Sequence, residues 1–313
     1  MKNVNYLDLP FFISHGLYND NDYLNNIYSL DYNLFYPKIS IIIPTYNNAN
    51  FIEQTIRSIL LQNYPNFELI IIDGESKDNT KDIITKYTKW IDVFISESDL
   101  GQSDAINKGW KLASGDITNW INSDDFLAPN VFNILAEYVN KYGLNNIFVG
   151  HVINFNDNNT NFEKVVQNVI KFENLIKFWD KDILWHQPGF FFPLKSIINI
   201  DYLDISYHYS MDFDLLCKLL IDTNVIIIDV PFMFFRIHNN SKGVSSPINT
   251  VIEKMNIFLK NKDLITNLSL VDKIKYIKWF LKSFCKIIIT LNFLNLIKFL
   301  RMNYQISKTI IKY

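Results

Sequence analysis

The sequence has few of the residues that build disulfide-stapled or zinc-stapled folds. Its 313 residues include two cysteines, Cys217 and Cys285, and five histidines. The two cysteines are far apart and lie in apolar helical patterns, without the close spacing of zinc ligands. This usage suits small buried side chains in a reducing compartment and excludes a disulfide framework. We therefore expect a cytoplasmic protein that folds by burying an apolar core.

Glycine-rich phosphate loops and a secretory leader are also missing. No G-x-x-x-x-G-K-[ST] segment is present among the nine glycines of the chain, which excludes a P-loop enzyme. No G-x-G-x-x-G segment follows the first predicted strand, which weakens the case for a dinucleotide-binding enzyme. The N-terminal stretch MKNVNYLDLPFF has no basic region followed by an apolar one, so we expect no secretory signal.

Acidic residues are missing from the C-terminal segment. Between Lys273 and Tyr313 there are nine Lys or Arg and no Asp or Glu, although the whole chain has 30 basic and 32 acidic residues. The near balance of the whole chain argues against a nucleic-acid partner. The longest uncharged run of the segment, Ile287 to Ile297, has 11 residues. A helix needs about 20 apolar residues to span a bilayer, so this run is too short.

The lysines of this basic segment recur at helical spacing. Lys275, Lys278, Lys282 and Lys286 are three or four residues apart and would form a stripe on one helical face. A basic amphipathic helix of this kind can lie peripherally in an anionic membrane interface. The alternatives are that it packs on the catalytic part of the chain or on a second subunit of a homo-oligomer. Packing is the slightly favoured interpretation.

The middle of the chain alternates between strand and helix patterns. Residues 1–37 predict an N-terminal extension, residues 38–245 a catalytic domain and residues 246–313 a basic helical region. The predicted strands are ISIIIP, FELIIID, VFIS, ITNWIN, NIFVGHVI and NVIIIDV, beginning at Ile39, Phe67, Val93, Ile117, Asn146 and Asn224. Apolar residues at helical spacing separate the first four. The pattern predicts an α/β fold with a mostly parallel sheet covered by helices on both faces.

Polar residues follow each of the first four predicted strands. Parallel sheets bind ligands at the carboxyl ends of their strands, so these segments should share one edge. The segments are Pro44–Asn47, Asp73–Asp78, Glu97–Asp104 and Asn122–Asp125. A single one would be read as a turn or a helix cap, but four at one edge favour a binding site. Carboxylates with hydroxyl and amide neighbours suit Mg²⁺ or Mn²⁺ shared with phosphate oxygens.

These segments resemble the family 2 glycosyltransferases. The resemblance lies in ISIIIPTYNNANFIEQTIRSILLQNY, IIIDGESKDNT and SESDLGQSDAINKGWKLASGDITNWINSDD, in this order and with the spacing of the family. It covers residues 38–130 and continues more loosely to Gly243. It implies the GT-A fold, which is Rossmann-like, followed here by a C-terminal helical segment. It also implies inverting transfer of a sugar from a nucleotide diphosphate, with UDP favoured, to a glycan, lipid-linked or protein-linked acceptor.

The resemblance implies a nucleotide-sugar site built from three loops. The family holds the base and ribose with the first loop and the acid after the second strand, which here are Thr45, Tyr46, Asn47 and Asp73. A second acid is common after that strand, and Gly74 stands in its place. The loop and helix near the diphosphate and sugar supply Gly101, Gln102, Asp104, Asn107 and Lys108. Ile106 replaces a frequent Arg, which leaves Lys108 to supply the positive charge.

Two adjacent acids, Asp124 and Asp125, follow the fourth predicted strand. Such a pair repels itself unless a metal ion, a helix N-terminus or water lies nearby. The resemblance identifies Asn122-Ser123-Asp124 with the D-x-D metal motif of the family, with an amide in the first place. It therefore implies metal coordination by Asp124 and Asp125, with Asn122 on the ribose. His238 matches a further metal or diphosphate ligand of some members, and Mn²⁺ or Mg²⁺ is the expected cofactor.

The looser second half implies a catalytic base and an acceptor pocket. The family opens one helix with a Glu-Asp pair whose second acid is the base, and in YSMDFDLLCKLL these places hold Met211 and Asp212. Inverting transfer needs such a group to take the proton of the acceptor hydroxyl. The segment WHQPGFFF implies an acceptor pocket formed by Trp185, His186 and Gln187. Trp185 either stacks on a sugar face or is a buried aromatic.

Two other functions stay open at this point. A sugar-1-phosphate nucleotidyltransferase has a similar sheet, but its first strand is usually followed by a glycine-rich loop, which Pro44–Asn47 is not. A non-catalytic carbohydrate-binding or scaffold relative would explain the departures from the family pattern, which are Gly74, Ile106, Asn122 and Met211. Retention of Asp124, Asp125, Asp212 and His238 argues against that alternative.

Overall fold

The computed structural model describes residues 9–10, 18–25, 33–157, 159–169, 171–238, 247–261, 268–289 and 293–312. The strands in these ranges are β1 Ile39–Thr45, β2 Phe67–Asp73, β3 Val93–Ser96, β4 Ile117–Trp120, β5 Phe126–Leu127, β6 Asn146–Asn156, β7 Asn159–Val165, β8 Phe190–Pro193 and β9 Asn224–Arg236. The helices are α1 Asp20–Leu24, α2 Ile52–Leu60, α3 Thr80–Thr85, α4 Gln102–Leu112, α5 Val131–Tyr142, α6 Phe172–Leu175, α7 Leu194–Asn199, α8 Met211–Leu219, α9 Pro247–Lys260, α10 Leu270–Ile289 and α11 Phe293–Lys312.

The first four strands form the parallel half of one sheet. The strand order is β3-β2-β1-β4-β8-β6-β9-β5, with β7 paired to β6. The strand β1 pairs in parallel with β2 and β4, and β2 pairs in parallel with β3. The strand β8 is antiparallel to β4 and β6, whereas β6 and β9 are parallel. The carboxyl ends of β1 and β4 therefore meet at one edge of the sheet, as the sequence predicts.

Both faces of the sheet are covered. Every residue of β1 and β2 is buried, which explains their continuous apolar sequence. Ile42 points into the same hydrophobic cluster as Ile106 of α4. Its neighbours Ile41 and Ile43 point to the other side, into a cluster with Ile52 of α2. This alternation confirms the predicted α/β fold with helices on both faces.

The strand β9 is longer than its sequence pattern predicts. The predicted run NVIIIDV ends at Val230, whereas β9 continues through Pro231 to Arg236. Proline has no N–H for a sheet ladder and is tolerated at irregular positions. The pairing of β6 with β9 shifts register on both sides of His151, which faces Pro231. This irregularity carries the strand past the proline and brings Arg236 to the β4–β5 turn.

The described part of the N-terminal extension packs on α2. Arg57 of α2 forms a buried ion pair with Asp20, at the start of α1. The hydroxyl of Tyr23 donates a hydrogen bond to the carbonyl of Leu127, at the end of β5. The predicted extension over residues 1–37 therefore includes a docked helix. Residues 1–8, 11–17 and 26–32 lie outside the described ranges.

The C-terminal helices pack on the rest of the chain. Met255, Tyr276 and Phe299, one from each of α9, α10 and α11, belong to a hydrophobic cluster that also contains residues of β4 and β8. The ammonium of Lys275 lies 2.8 Å from Asp180, so this lysine of the predicted basic stripe is ion-paired. The side chain of Lys286 lies outside the described set. No described helix has the length and apolarity needed to cross a membrane.

Candidate active site

A cavity of about 1110 Å³ opens at the carboxyl ends of β1 and β4. It is walled by the loops after β1 and β3, the β4–β5 turn, the segment before β8, the start of α8, the end of β9 and two residues of α9. The predicted site residues in its wall are Thr45, Tyr46, Asn47, Gly101, Gln102, Asn122, Ser123, Asp124, Trp185, His186, Gln187, Asp212 and His238. The fold thus gathers the three predicted donor loops, the acceptor segment and the base around one space.

The loop after β1 is held in place by the loop after β2. Asn47 has φ 49°, and its N–H donates to the Ser76 hydroxyl at 2.7 Å. The side-chain oxygen of Asn47 accepts from the N–H of Lys77 at 2.7 Å. Asp73 is fully buried and accepts hydrogen bonds from Ser76 and Ser96. Asp73 therefore does not line the cavity, although the sequence predicts that it contacts the base or ribose. It stabilises the loop that carries Asn47.

Asp99 occupies the space beside Gly74 and is a cavity residue that sequence reasoning missed. A Cβ atom on Gly74 would lie 2.7 Å from Asp99 Oδ2, so a side chain at position 74 would collide with this carboxylate. Asp99 lines the cavity, and its Oδ1 accepts from the N–H of Gly101 at 2.8 Å. Thr45 lines the same end, and its buried hydroxyl has no hydrogen-bond partner among the described residues. A ligand with polar groups is the natural partner for such an atom.

Only the first turn of α4 reaches the cavity. Gly101 precedes the helix with φ 110°, a conformation that favours glycine, and Gln102 donates to Asn122 Oδ1 at 2.7 Å. Asp104, Asn107 and Lys108, predicted near the diphosphate, lie outside the wall. The ammonium of Lys108 lies 2.8 Å from Glu97 and 3.3 Å from Asp104, and these hydrogen bonds raise its pKa.

Asn107 is likewise committed to the fold. Its amide exchanges two hydrogen bonds with the backbone of Leu203, at 2.9 and 3.0 Å. A residue that uses both its donor and its acceptor in this way fixes the loop before α8 against α4. The predicted role of Asn107 in binding the donor therefore has no support in this geometry.

The β4–β5 turn separates the two adjacent acids. Asp124 points into the cavity, where its Oδ2 lies 2.8 Å from His238 Nε2. Asp125 points the other way and accepts from the N–H of Arg236 at 2.9 Å and from the amide of Asn122 at 3.0 Å. Burial raises the pKa of Asp125, and the neighbouring charge of Asp124 adds to the rise. The predicted metal role of Asp125 is not supported, because both its oxygens are used within the fold.

Arg236 holds the turn that carries the two acids. Its N–H donates to Asp125, and its guanidinium Nε donates to the carbonyl of Asp124 at 2.9 Å. The guanidinium also forms an ion pair with Asp157 and lies 4.5 Å from the ring centre of Phe51. Because β9 extends past Pro231, Arg236 reaches under the turn and holds the backbone of Asp124 and the carboxylate of Asp125.

Asp124 and His238 fit a hard divalent cation, but only as part of its coordination. In the described part of the chain, no three Asp, Glu, His or Cys side chains converge on one point. Mg²⁺ sites commonly use one or two protein ligands and take the remaining oxygens from phosphate and water. The paired carboxylate and imidazole, at 2.8 Å and at the cavity wall, meet that requirement.

The predicted acceptor residues line the opposite end of the cavity. Burial, and the nearby charge of Lys254, lower the pKa of His186 to about 4, so its imidazole is neutral near pH 7. Trp185 lies 6.1 Å from the ring of Phe213, with the Lys254 ammonium 5.5 Å from its ring centre. Gln187 donates to Asn119 Oδ1 at 2.9 Å, which ties this segment to β4. Trp185 therefore stacks on Phe213 and also lines the cavity.

Asp212 stands at the first turn of α8. Its Oδ1 accepts from the N–H of Phe213 at 2.8 Å, which fixes the carboxylate at the cavity wall. Burial raises the pKa of Asp212, and Lys254 partly lowers it again. A carboxylate with a raised pKa is a stronger proton acceptor when ionised. Asp214, in the same turn, lies 2.7 Å from Lys218 and belongs to the helix rather than to the cavity.

The start of α8 is held by α9, which sequence reasoning did not foresee. The carboxylate of Glu253 accepts from the backbone N–H groups of His208, Tyr209 and Ser210, at 3.0, 2.8 and 2.7 Å. The next residue, Lys254, enters the cavity wall. In a sequence, an adjacent Glu and Lys on a helix resemble ordinary surface charges. The pattern therefore does not indicate that Glu253 and Lys254 belong to the site. The C-terminal region therefore completes the cavity.

The comparisons with known proteins agree with this fold. The family model "Glycosyl transferase family 2" matches residues 40–203. An uncharacterised glycosyltransferase of Rickettsia typhi is 30% identical over 217 residues, which cover 66% of this chain and 66% of that protein. The putative teichuronic acid biosynthesis glycosyltransferase TuaG of Bacillus subtilis is 39% identical over 92 residues, 28% of this chain and 36% of TuaG.

Solved structures share the architecture. The structure of S. aureus TarS 1–349 in complex with UDP-GlcNAc aligns over 76% of this chain and 69% of that chain. The TM-score is 0.59 at 18% identity, so the likeness is one of fold. The family match spans more than half of the chain and contains the loops that wall the cavity on the donor side. The chain belongs to glycosyl transferase family 2.

Proposed function

We propose that the protein transfers a sugar from a UDP-sugar to a glycan, lipid-linked or protein-linked acceptor, with inversion at the anomeric carbon. One observation carries the proposal: a single cavity has the Asp124–His238 pair at the donor loops and Asp212 beside the acceptor segment. An inverting displacement needs the base to be separate from the residues around the leaving group, because the base and the leaving group act on opposite faces of the sugar. The UDP-GlcNAc complex of TarS and the polysaccharide context of TuaG support the choice of donor and pathway class.

The donor end is suited to a nucleoside diphosphate. The outer part, where a base and ribose would lie, is lined by the exposed ring of Tyr46, the carboxylate of Asp99 and the hydroxyl of Thr45. That hydroxyl has no hydrogen-bond partner in the described part of the chain. Asp124 and His238 would hold Mg²⁺ or Mn²⁺ together with diphosphate oxygens. Such an ion, when bound, would neutralise charge on the departing diphosphate.

The acceptor end is suited to deprotonating a hydroxyl group. As the acceptor oxygen bonds to the anomeric carbon, Asp212 takes its proton, and the bond from that carbon to the diphosphate oxygen breaks. Lys254 favours the ionised form of Asp212 that this step requires. Neutral His186 can orient the incoming hydroxyl, since a neutral imidazole has one hydrogen-bond donor and one acceptor. The proton acceptance by Asp212 is worth roughly 10²–10⁴-fold in rate.

The proposal is tested with a panel of nucleotide sugars, Mn²⁺ and a soluble glycan acceptor, with and without EDTA. We expect nucleoside diphosphate release and a sugar–acceptor product of inverted configuration, both lost in EDTA. Release of pyrophosphate from nucleoside triphosphate and sugar 1-phosphate would instead identify a nucleotidyltransferase. Donor binding without turnover across an acceptor screen would identify a non-catalytic relative.

A further inference from the structure

The helix α10 has two apolar faces, and only one of them is buried. Its inner face packs Tyr276, Trp279 and Phe280 against the rest of the chain, with Trp279 5.1 Å from the ring of Phe178. Its outer face carries a stripe of exposed apolar residues at spacings of four, three and four. The stripe consists of Leu270, Ile274, Ile277 and Leu281, which are 73%, 44%, 55% and 56% exposed. No described residue covers it.

Lysines flank the outer stripe on both sides. At 100° per residue, Lys273 lies on one side of the stripe, and Lys278 and Lys282 lie on the other. The acid of this helix, Asp272, points inward and pairs with Lys177 at 3.0 Å. From residue 273 to the C-terminus the chain has no Asp or Glu. The exposed face of α10 is therefore apolar at its centre and positive at its margins.

We propose that the outer face of α10 docks on an anionic lipid bilayer and lies parallel to its surface. The apolar stripe would enter the acyl boundary, while the lysines extend to the headgroups. A second copy of the chain is a poorer occupant, because a two-fold interface through this face would set lysine against lysine. The lysines at the margins of this face need negatively charged partners. An anionic membrane supplies negative charge along the whole length of the helix.

The same helix is joined to the wall of the cavity. Lys177 and Asp180, the ion-pair partners of Asp272 and Lys275, both line the cavity that contains Asp212. On the proposed function, a bilayer under α10 would lie beside the acceptor end of the active site. This arrangement favours an acceptor carried on a lipid over one that is free in solution.

The experiment is flotation of the full chain with vesicles, without any donor, so that its result does not depend on enzymatic activity. We expect binding to vesicles of phosphatidylcholine and phosphatidylglycerol in equal parts and little binding to phosphatidylcholine alone. A lysine near an anionic surface strengthens binding by roughly fivefold. Changing Lys273, Lys278 and Lys282 together to Gln should therefore weaken binding about a hundredfold. The double change I277N/L281N should weaken binding without altering the charge.

The matched control changes three exposed lysines elsewhere, Lys86, Lys141 and Lys195, to Gln. This control should bind as the unchanged chain does. The proposal is overturned by equal binding to both vesicle types, by no binding to either, or by an equal loss in the control variant. It is also overturned if I277N/L281N abolishes a dimer seen in solution while vesicle binding is unchanged. The changed residues are exposed except Lys273, which is half-buried, and circular dichroism checks that each variant is folded.

Discussion

Replacing Glu253 with Ala should destabilise the loop that leads to Asp212, the proposed catalytic base. The carboxylate accepts three backbone N–H groups, from His208, Tyr209 and Ser210, within 3.0 Å. Hydrogen bonds to a charged acceptor contribute about 1.5–3 kcal/mol each. The first of the three is exposed and the other two are partly buried, so water replaces the first more readily. We expect a loss of about 3 kcal/mol in the free energy of unfolding.

The assay is thermal unfolding followed by steady-state kinetics and donor titration. A loss of this size lowers the Tm by roughly 5 °C in a protein of this length. The kcat should fall because Asp212 follows directly on the loop, whereas the Kd for UDP should stay constant, since Glu253 lies outside the donor loops. The Tm and kcat of Glu253→Gln should lie between those of the unchanged chain and those of Glu253→Ala, because the Gln amide keeps one acceptor oxygen.

Glu137, exposed on α5 and remote from the cavity, provides the control. Glu137→Ala should change the free energy of unfolding by less than about 0.5 kcal/mol and leave kcat unchanged. If Glu253→Ala and Glu137→Ala have the same Tm and the same kcat, the C-terminal region does not support the active site, and the reasoning fails.

Three further predictions concern the cavity itself. Lys254→Met should raise the pKa of Asp212, so the acid limb of the pH–kcat profile should move to higher pH. Lys254→Arg should leave that limb in place. An unmoved limb in the Met variant would contradict this prediction. Asp124→Ala should weaken Mn²⁺-dependent donor binding in calorimetry, and wild-type affinity would remove Asp124 from the metal site. Gly74→Asp should weaken UDP binding, because its Cβ would lie 2.7 Å from the Asp99 carboxylate, and adding Asp99→Ala should restore part of the loss.

The strands and the sheet edge were predictable from sequence because local pattern decides them. Runs of β-branched residues locate β2 and β3 to the residue, and the parallel topology then places the loops after β1, β3 and β4 at one edge. Thr45, Asn122 and Asp124 therefore meet as predicted. The end of β9 was not predictable, because an irregularity in pairing with β6 carries the strand past Pro231.

Three of the predicted donor residues lie outside the cavity wall for one physical reason. Asp73, Asn107 and Lys108 have the right residue types near the right loops, yet their polar atoms are used by partners within the fold. A side chain that already has its hydrogen bonds is not offered to a ligand, and single-sequence patterns do not show such partners. Glu253 and Lys254 were not predicted as site residues, because the groups that they contact lie about 40 residues away in the sequence.

The proposed mechanism depends on Asp212 as the general base of an inverting sugar transfer. The most direct measurement compares Asp212→Asn with the unchanged chain, by single-turnover transfer and by calorimetric titration with UDP. We expect a rate lower by roughly 10²–10⁴-fold with the same Kd for UDP, because the amide keeps the shape but cannot take a proton. A variant that transfers sugar at the unchanged rate would contradict it.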